Sequence, residues 1–397
     1  MKRPGLAAAL VALVILAGLV VGFERYARAL EDRYAHILAT TINPQRRLGV
    51  AIRQAALRQP DILLMFGSSE VLSGKNYNAS VLFQSYPTGF TVSRIGNDAE
   101  PLLIITLQIA TGGFAWREKK VALVLDQGTI SYFTDKWAPN YSTLLGNDLA
   151  FNTDLSYALK QRIARRLLKH PEVTEKDMFL RAALERLADD RLISRIAYHA
   201  LFPLGKMRLW VMHLQDHWEV LTFLANQKNL TDKVTRQPAT LDWTGLIEKA
   251  SAEYSKEVGD NPFRVEAAWW KDNGAGFLKY KNTMSDPAYR KWLQGGALWE
   301  NIEITFAVLK ELGAEPLLLG IPLHGPYEDY RGASVSARAL YYEMLQQLCE
   351  KYGVTAITFQ DHEYDTLFFR DLGFHASQKG WVYLDQALDA FYHDTLH

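Results

Sequence analysis

The chain has 397 residues, 44 of them basic and 44 acidic, with 48% apolar residues, 12% aromatic residues and one cysteine. That length holds one large α/β domain with an insertion, or two ordinary domains, and the apolar content excludes a largely disordered chain. Zero net charge argues against a generic nucleic-acid binder, whose mark is a basic excess. The lone Cys349 excludes an internal disulfide framework and a cysteine-built zinc site. It sits in a helix-like stretch, Met344–Cys349, where a packed thiol is expected.

The first element is apolar. After Met1-Lys2-Arg3, the 18 residues from Leu6 to Phe23 carry no charge; at helical rise they extend about 27 Å, enough to cross the hydrocarbon core of a bilayer. Lys2 and Arg3 favour a cytoplasmic N-terminus, which puts the body outside the membrane. A cleaved signal peptide is the competing reading. Ala27-Arg28-Ala29 has the small-residue spacing of a cleavage site, but Glu24, Arg25 and Arg28 crowd it.

Residues Glu24 to about Ala39 predict a helix continuing off the membrane. Asn43-Pro44 breaks it, and Gln45 to Arg58 predicts another. Asp61 to Phe66 (DILLMF) is a short continuous apolar run, as expected of a strand buried on both faces, and it ends in Gly67-Ser68-Ser69-Glu70. Phe90 to Ile95 reads as a second strand, Ala99 to Ala110 as a helix and Lys120 to Leu125 as a third strand. From Phe151 to Gly296 helical patterns take over, as in Leu155–Leu168 and Asp177–Leu187; seven of the ten Trp lie between Leu209 and Glu300. Strand and helix then alternate again: helix Asn301–Leu312, strand Pro316–Ile321, helix Ser334–Tyr352, strand Val354–Phe359. The pattern predicts an α/β fold with a doubly wound parallel sheet, a helical insertion and one transmembrane helix in front. The expected divisions are an anchor at 1–23, a helical linker at 24–60, the sheet domain at 61–150 and 297–397, and the insertion at 151–296.

Ligands of such sheets bind beyond the carboxyl ends of the strands, so the residues just after each strand are the candidates. A serine after the first strand can act as a nucleophile or simply cap a helix. His375, in a loop after the last strand, can act as its base, with Asp371 orienting the imidazole. Gly96 after the second strand and Gln127 after the third can supply oxyanion donors. Together these parts make up the constellation that acyl transfer needs.

The N-terminal anchor, Gly67–Glu70, Val121–Phe133 (VALVLDQGTISYF), Glu315–Gly332 (EPLLLGIPLHGPYEDYRG) and His375–Trp381 (HASQKGW) resemble the DltD family. Members of that family act outside the cell in D-alanylation of teichoic acids and belong to the wider SGNH/GDSL hydrolase-like group. The resemblance implies an SGNH-like fold, Ser69 as nucleophile and His375 as base, with Gly96 and Gln127 at the oxyanion positions. The family's acid stands three residues before the histidine, where this chain has Leu372. Asp371, four before, is the nearest acid, with Asp361, Glu363 and Asp365 as alternatives. The implied activity is transfer of a D-alanyl group through an acyl-serine to hydroxyls of an envelope polymer, a teichoic acid or another glycan. The implied partner is a membrane-bound, DltB-like O-acyltransferase; no cofactor, metal or nucleic acid is called for. The same residues suit an SGNH-type esterase or O-acetyltransferase, and a non-catalytic assembly subunit retaining the fold is a further alternative.

Other features carry weaker expectations. His213 and His217 share a helix face at ligand-like spacing, but without a third ligand. His324 follows the fourth strand, near the expected site, and can contact substrate. Tyr327, Asp329 and Tyr330 can line an acceptor groove. Trp269-Trp270 and the other tryptophans of the insertion can bind sugar, lie on the membrane surface or pack among helices, and the basic run Lys160–Arg166 can face an anionic polymer, lipid head groups or solvent.

Overall fold

The computed structural model describes residues 4–41, 49–127, 143–152, 154–170, 174–227, 240–295 and 297–396. The expected break at Asn43-Pro44 and the Gly128–Phe133 part of the DltD-like segment lie outside them.

Five strands form one parallel sheet: β1 (Ile62–Phe66), β2 (Thr91–Ile95), β3 (Lys120–Leu125), β4 (Glu315–Gly320) and β5 (Thr355–Ile357). Their order is β2-β1-β3-β4-β5. Phe66 is level with Ile95 on one side and Leu123 on the other. The chain leaves β1 for one neighbour and returns on the other side as β3, so the order reverses beside β1. Such a reversal opens a crevice at the carboxyl edge.

The near-continuous apolar runs of β1 and β3 follow from cover on both faces. Ile62, Leu64, Phe66, Val121, Leu123 and Leu125 point into one core, and Leu63, Met65, Ala122 and Val124 into the other. The first core is completed by helices that include Val50–Arg58, Leu102–Ala110, Ala297–Leu312 and Val335–Tyr352; the second includes Ala79–Ser85, Trp243–Tyr254 and Gln378–Tyr392. β5 is shorter than its sequence suggests because Phe359 adopts φ +49° and turns the chain out of the sheet. The helix expected from Ala99 begins at Leu102, after Ala99 at φ +53° and Pro101 at the cap position.

The described residues between β3 and β4 are largely helical. Leu145, Leu149, Phe151, Leu159, Ile163 and Leu209 share the first core with the sheet, while Trp243–Tyr254 packs on Gln378–Tyr392 across the other face. This helical region therefore wraps the sheet rather than standing apart from it.

The N-terminal helix, Pro4–Arg33, is 30 residues long, about 45 Å at helical rise. It is long and apolar enough to cross a membrane, and its Leu, Val and Ile side chains from Leu10 to Leu19 are exposed. Its C-terminal end is docked: Glu31 is fully buried, and His217 Nδ1, on helix Phe202–Ala225, lies 2.7 Å from Glu31 Oε1.

Candidate active site

Gly67 ends β1 and donates its amide to Ile95 O at 3.0 Å. The next residues form one 3-10 turn, Ser69–Leu72. Buried Ser68 stitches this loop to the one after β2: its hydroxyl donates to Asn97 O at 3.2 Å and accepts from the Glu100 amide at 2.7 Å. Gly96 lies in the same seam. A Cβ there would stand 2.5 Å from Gly67 O and 2.7 Å from Ser68 O, so only glycine lets the two backbones approach so closely.

The opposite wall comes from the loop before helix Gln378–Tyr392. The HASQKGW segment builds it residue by residue. Ser377 accepts the Gly380 amide at 3.2 Å as an N-cap and donates to Leu367 O at 2.5 Å. Lys379 pairs with Asp365 at 2.6 Å. Trp381 donates its indole N–H to Ser73 Oγ at 2.9 Å. Its ring lies so close to Gly74 (φ +90°) that a Cβ there would come within 2.3 Å of it. Trp381 thus ties the histidine loop to the serine loop.

These contacts bring Ser69 Oγ to 2.9 Å from His375 Nε2, and His375 Nδ1 bonds Asp371 Oδ2 closely. With Nδ1–H donating to the carboxylate, Nε2 is left to accept from the serine hydroxyl. Asp371 Oδ1 accepts the Phe374 and His375 amides at 2.9 and 3.0 Å. Burial alone would lower the His375 pKa. The charge and hydrogen bond of Asp371, helped by Asp126 and Glu70, outweigh it and hold the imidazole above its ordinary 6.5. Burial and the neighbouring Asp126 push the Glu70 carboxyl up to about 8. A hydroxyl, an imidazole and a buried carboxylate linked in this order can activate the hydroxyl for attack on an acyl carbonyl and hold the resulting imidazolium.

Gln127 donates its side-chain N–H to Tyr289 OH at 2.6 Å. It lines a cavity of about 230 Å³ together with Tyr289, Trp292, Leu372 and Phe374. A second cavity, about 270 Å³, lies on the other side of the histidine loop, against Leu72, Ser73, Tyr254 and Ala376. His324 is buried. Its Nδ1 accepts the Tyr327 amide at 3.2 Å, and its Nε2 lies 3.1 Å from Phe263 O. Both ring nitrogens are engaged within the protein, and burial lowers its pKa to about 4.

The three alternative acids turn elsewhere. Asp361 and Asp365 face His362, at 3.8 and 3.4 Å. Glu363 takes Arg338 Nε at 3.1 Å and Tyr342 OH at 2.8 Å. His213 and His217 point to separate partners, Asp148 at 3.1 Å and Glu31 at 2.7 Å. In the basic run, Arg162 reaches Glu303, Arg165 reaches Asp190, Arg166 reaches Glu300, and Lys160 sits over the Tyr198 ring. Tyr327 is buried, Asp329 pairs with Arg338 at 2.7 Å, and Tyr330 donates to Leu278 O at 2.6 Å. Trp269 and Trp270 pack around Phe263, Val265 and Leu372. Cys349 is buried, with its thiol pushed up to about 12.

Sequence reasoning missed Tyr289 and Tyr254. Tyr254 donates to Phe369 O at 2.7 Å and so braces the histidine loop. Each reaches its partner across more than a hundred residues, and no local pattern marks such a contact. Asp126 was visible, next to Gln127 at the end of β3, but its bearing on Glu70 and His375 needed the fold.

The model of the DltD family, described as DltD protein, matches residues 39–393. Protein DltD of Bacillus subtilis (strain 168) is 28% identical over 364 residues, covering 91% of this chain and 90% of its own length. Protein DltD of Staphylococcus aureus (strain NCTC 8325 / PS 47) is 20% identical over 363 residues, 88% of this chain and 85% of its own length.

Proposed function

Because the chain belongs to the DltD family, we propose that it is a membrane-anchored acyltransferase of the cell envelope. It takes part in D-alanylation of teichoic acids or a related glycan, with Ser69 as the acyl carrier. The observation that carries this reading is the 2.9 Å contact between Ser69 Oγ and His375 Nε2, with Asp371 behind the imidazole.

In the first half-reaction Ser69 Oγ attacks the acyl carbonyl of the donor and its proton passes to His375 Nε2. The tetrahedral adduct collapses, and the donor's leaving thiol or hydroxyl takes that proton. In the second half-reaction a polymer hydroxyl gives its proton to His375 and attacks the serine ester. Ser69 leaves and recovers the proton. Asp371 holds the imidazole in the tautomer both steps need and stabilises the imidazolium. In this reading the backbone amide of Gly96 and the side-chain amide of Gln127 supply the oxyanion donors, Gln127 through an N–H other than the one it gives to Tyr289 OH. A nucleophile after β1, a base after the last strand and the β2-β1-β3-β4-β5 order support an SGNH-like fold with residues 151–296 as an insertion. Lys2 and Arg3 ahead of the apolar helix support an extracytoplasmic body. The donor is then delivered across the bilayer by an integral O-acyltransferase of the DltB kind.

The test is covalent capture on the purified full-length protein in detergent. A fluorophosphonate and, separately, a D-alanyl thioester are added, and the intact mass is read. A single adduct is expected on the wild type and on Ser68→Ala, absent in Ser69→Ala and strongly reduced in His375→Ala. A D-alanyl adduct that persists until an acceptor is added supports transfer; rapid loss to water makes the protein an esterase. A folded wild type with no adduct from either reagent, or an adduct that survives Ser69→Ala, refutes the acyl-serine reading.

A further inference from the structure

The helical region carries an apolar face that no described residue covers. Helices Leu192–Ala200 and Phe202–Ala225 are joined by Leu201, which keeps helical backbone angles (φ −79°, ψ −16°). Along this joined pair, Ile193, Ile196, Leu204, Met207 and Val211 recur in steps of three, four or twice four residues and are all exposed, the spacing of one helical stripe. Leu192, Ile193 and Met207 are 72%, 66% and 57% exposed. A soluble monomer rarely leaves so extended an apolar surface in water.

Three observations say what covers it. First, the stripe continues into the anchor. Trp218, 63% exposed, contacts Phe23 at the end of the apolar run, with ring centroids 6.1 Å apart. Two and six residues further on, Val220 and Leu224 share a cluster with Leu30, Tyr34 and Leu38. The N-terminal half of helix Phe202–Ala225, which bears the stripe, is therefore on the membrane side of these contacts. Second, the 25 residues from Arg191 to Gln215 contain no acid; of their four cations Arg191 and Arg208 pair with Asp189 and Asp177, while Arg195 and Lys206 are exposed, which suits anionic head groups. Third, Trp210 and Trp218 are both exposed, and tryptophan favours the level of the head groups.

We propose that Leu192–Trp218 is a second membrane contact, with the exposed stripe lying in the interface of the leaflet into which the anchor helix opens. The occupant is lipid, with acyl chains against Ile193, Ile196, Met207 and Val211 and anionic head groups against Arg195 and Lys206. The inference rests on the Pro4–Arg33 helix crossing that bilayer.

The full-length chain carrying one introduced cysteine at a time (Ile196→Cys, Met207→Cys, Val211→Cys) is labelled with an environment-sensitive nitrobenzoxadiazole dye. Native Cys349 is buried and does not compete. Labelled protein is reconstituted at one copy per vesicle in phosphatidylcholine–phosphatidylglycerol vesicles with doxyl-labelled phosphatidylcholine as quencher. Leu13→Cys reports the anchor, and Glu248→Cys, on a helix covering the opposite face of the sheet, reports water. Quenching of about twofold or more at 196, 207 and 211, with none at 248, is expected for side chains at the acyl boundary. If position 13 is quenched while 196, 207 and 211 are not, the inference is overturned, and a protein partner or second copy covers the face. If position 13 also escapes quenching, the anchoring itself fails and the inference falls with it.

Discussion

Asp371 reaches His375 from four residues upstream by closing the loop on itself. One carboxylate oxygen takes the Phe374 and His375 amides at 2.9 and 3.0 Å, and the other takes the imidazole Nδ1. A four-residue spacing thus lets one carboxylate bond both the loop backbone and the imidazole.

Asp371→Asn keeps that turn but offers Nδ1 an amide in place of a charge. It is expected to slow formation of the Ser69 adduct by roughly 10³- to 10⁴-fold. His375→Ala should cost a similar factor, and the double variant little more, because the two act as one unit. Pre-steady-state labelling by intact mass checks this; a double variant slowed by the product of the two factors would show that they act separately.

The pH dependence follows from the same pair. Acylation needs a neutral imidazole, and Asp371 holds the His375 pKa above 6.5. The labelling rate therefore falls with decreasing pH, with a midpoint above 6.5. Removing the Asp371 charge must move that midpoint down. Asp126→Asn should move it the same way by less, since its effect on His375 is smaller. An unchanged midpoint in Asp371→Asn would assign the limb to another group.

Gly96→Ala tests the seam beside Ser69. The new methyl group would meet Gly67 O at 2.5 Å and Ser68 O at 2.7 Å, both backbone atoms with nowhere to go. A loss of about 1–3 kcal/mol in stability is expected, along with a fall in labelling larger than that loss of folded protein explains. Denaturant unfolding and adduct formation on the same preparation separate the two.

His324 predicts an acid-side instability. Folding lowers its pKa to about 4 from 6.5, so protonation favours the unfolded chain. The stabilisation is whole above pH 6.5 and is lost as pH falls towards about 4. That gap corresponds to about 3 kcal/mol. His324→Asn retains a capping side chain without the proton. Its melting temperature should fall less than that of the wild type between neutral pH and about pH 4.

The sequence was most legible where physics acts locally. β1 and β3 announced themselves because both faces are buried. β5 lies at an edge, and its end is set by one left-handed residue, Phe359. The Asp371–His375 neighbourhood was visible from spacing alone. The meeting of Ser69 with His375, 306 residues away, was reachable only through strand grammar and family resemblance. Gln127 with Tyr289, 162 residues apart, offered no signal. The exposed stripe from Ile193 to Val211 escaped notice because a helix facing lipid and a helix facing a core share one apolar period.

The burial of Glu31 against His217 changes what kind of tether the anchor is. A flexible leash would let the head sample a hemisphere, and its reach would grow with linker length. A helix clamped into the body instead works like a fixed post. Under the proposed function, with this helix crossing the bilayer and Ser69 carrying the acyl group, the height of Ser69 above the bilayer would be a constant of the fold and the search for an acceptor would be lateral diffusion in two dimensions, so that polymer hydroxyls at that one altitude are served and those farther out must bend back to be reached.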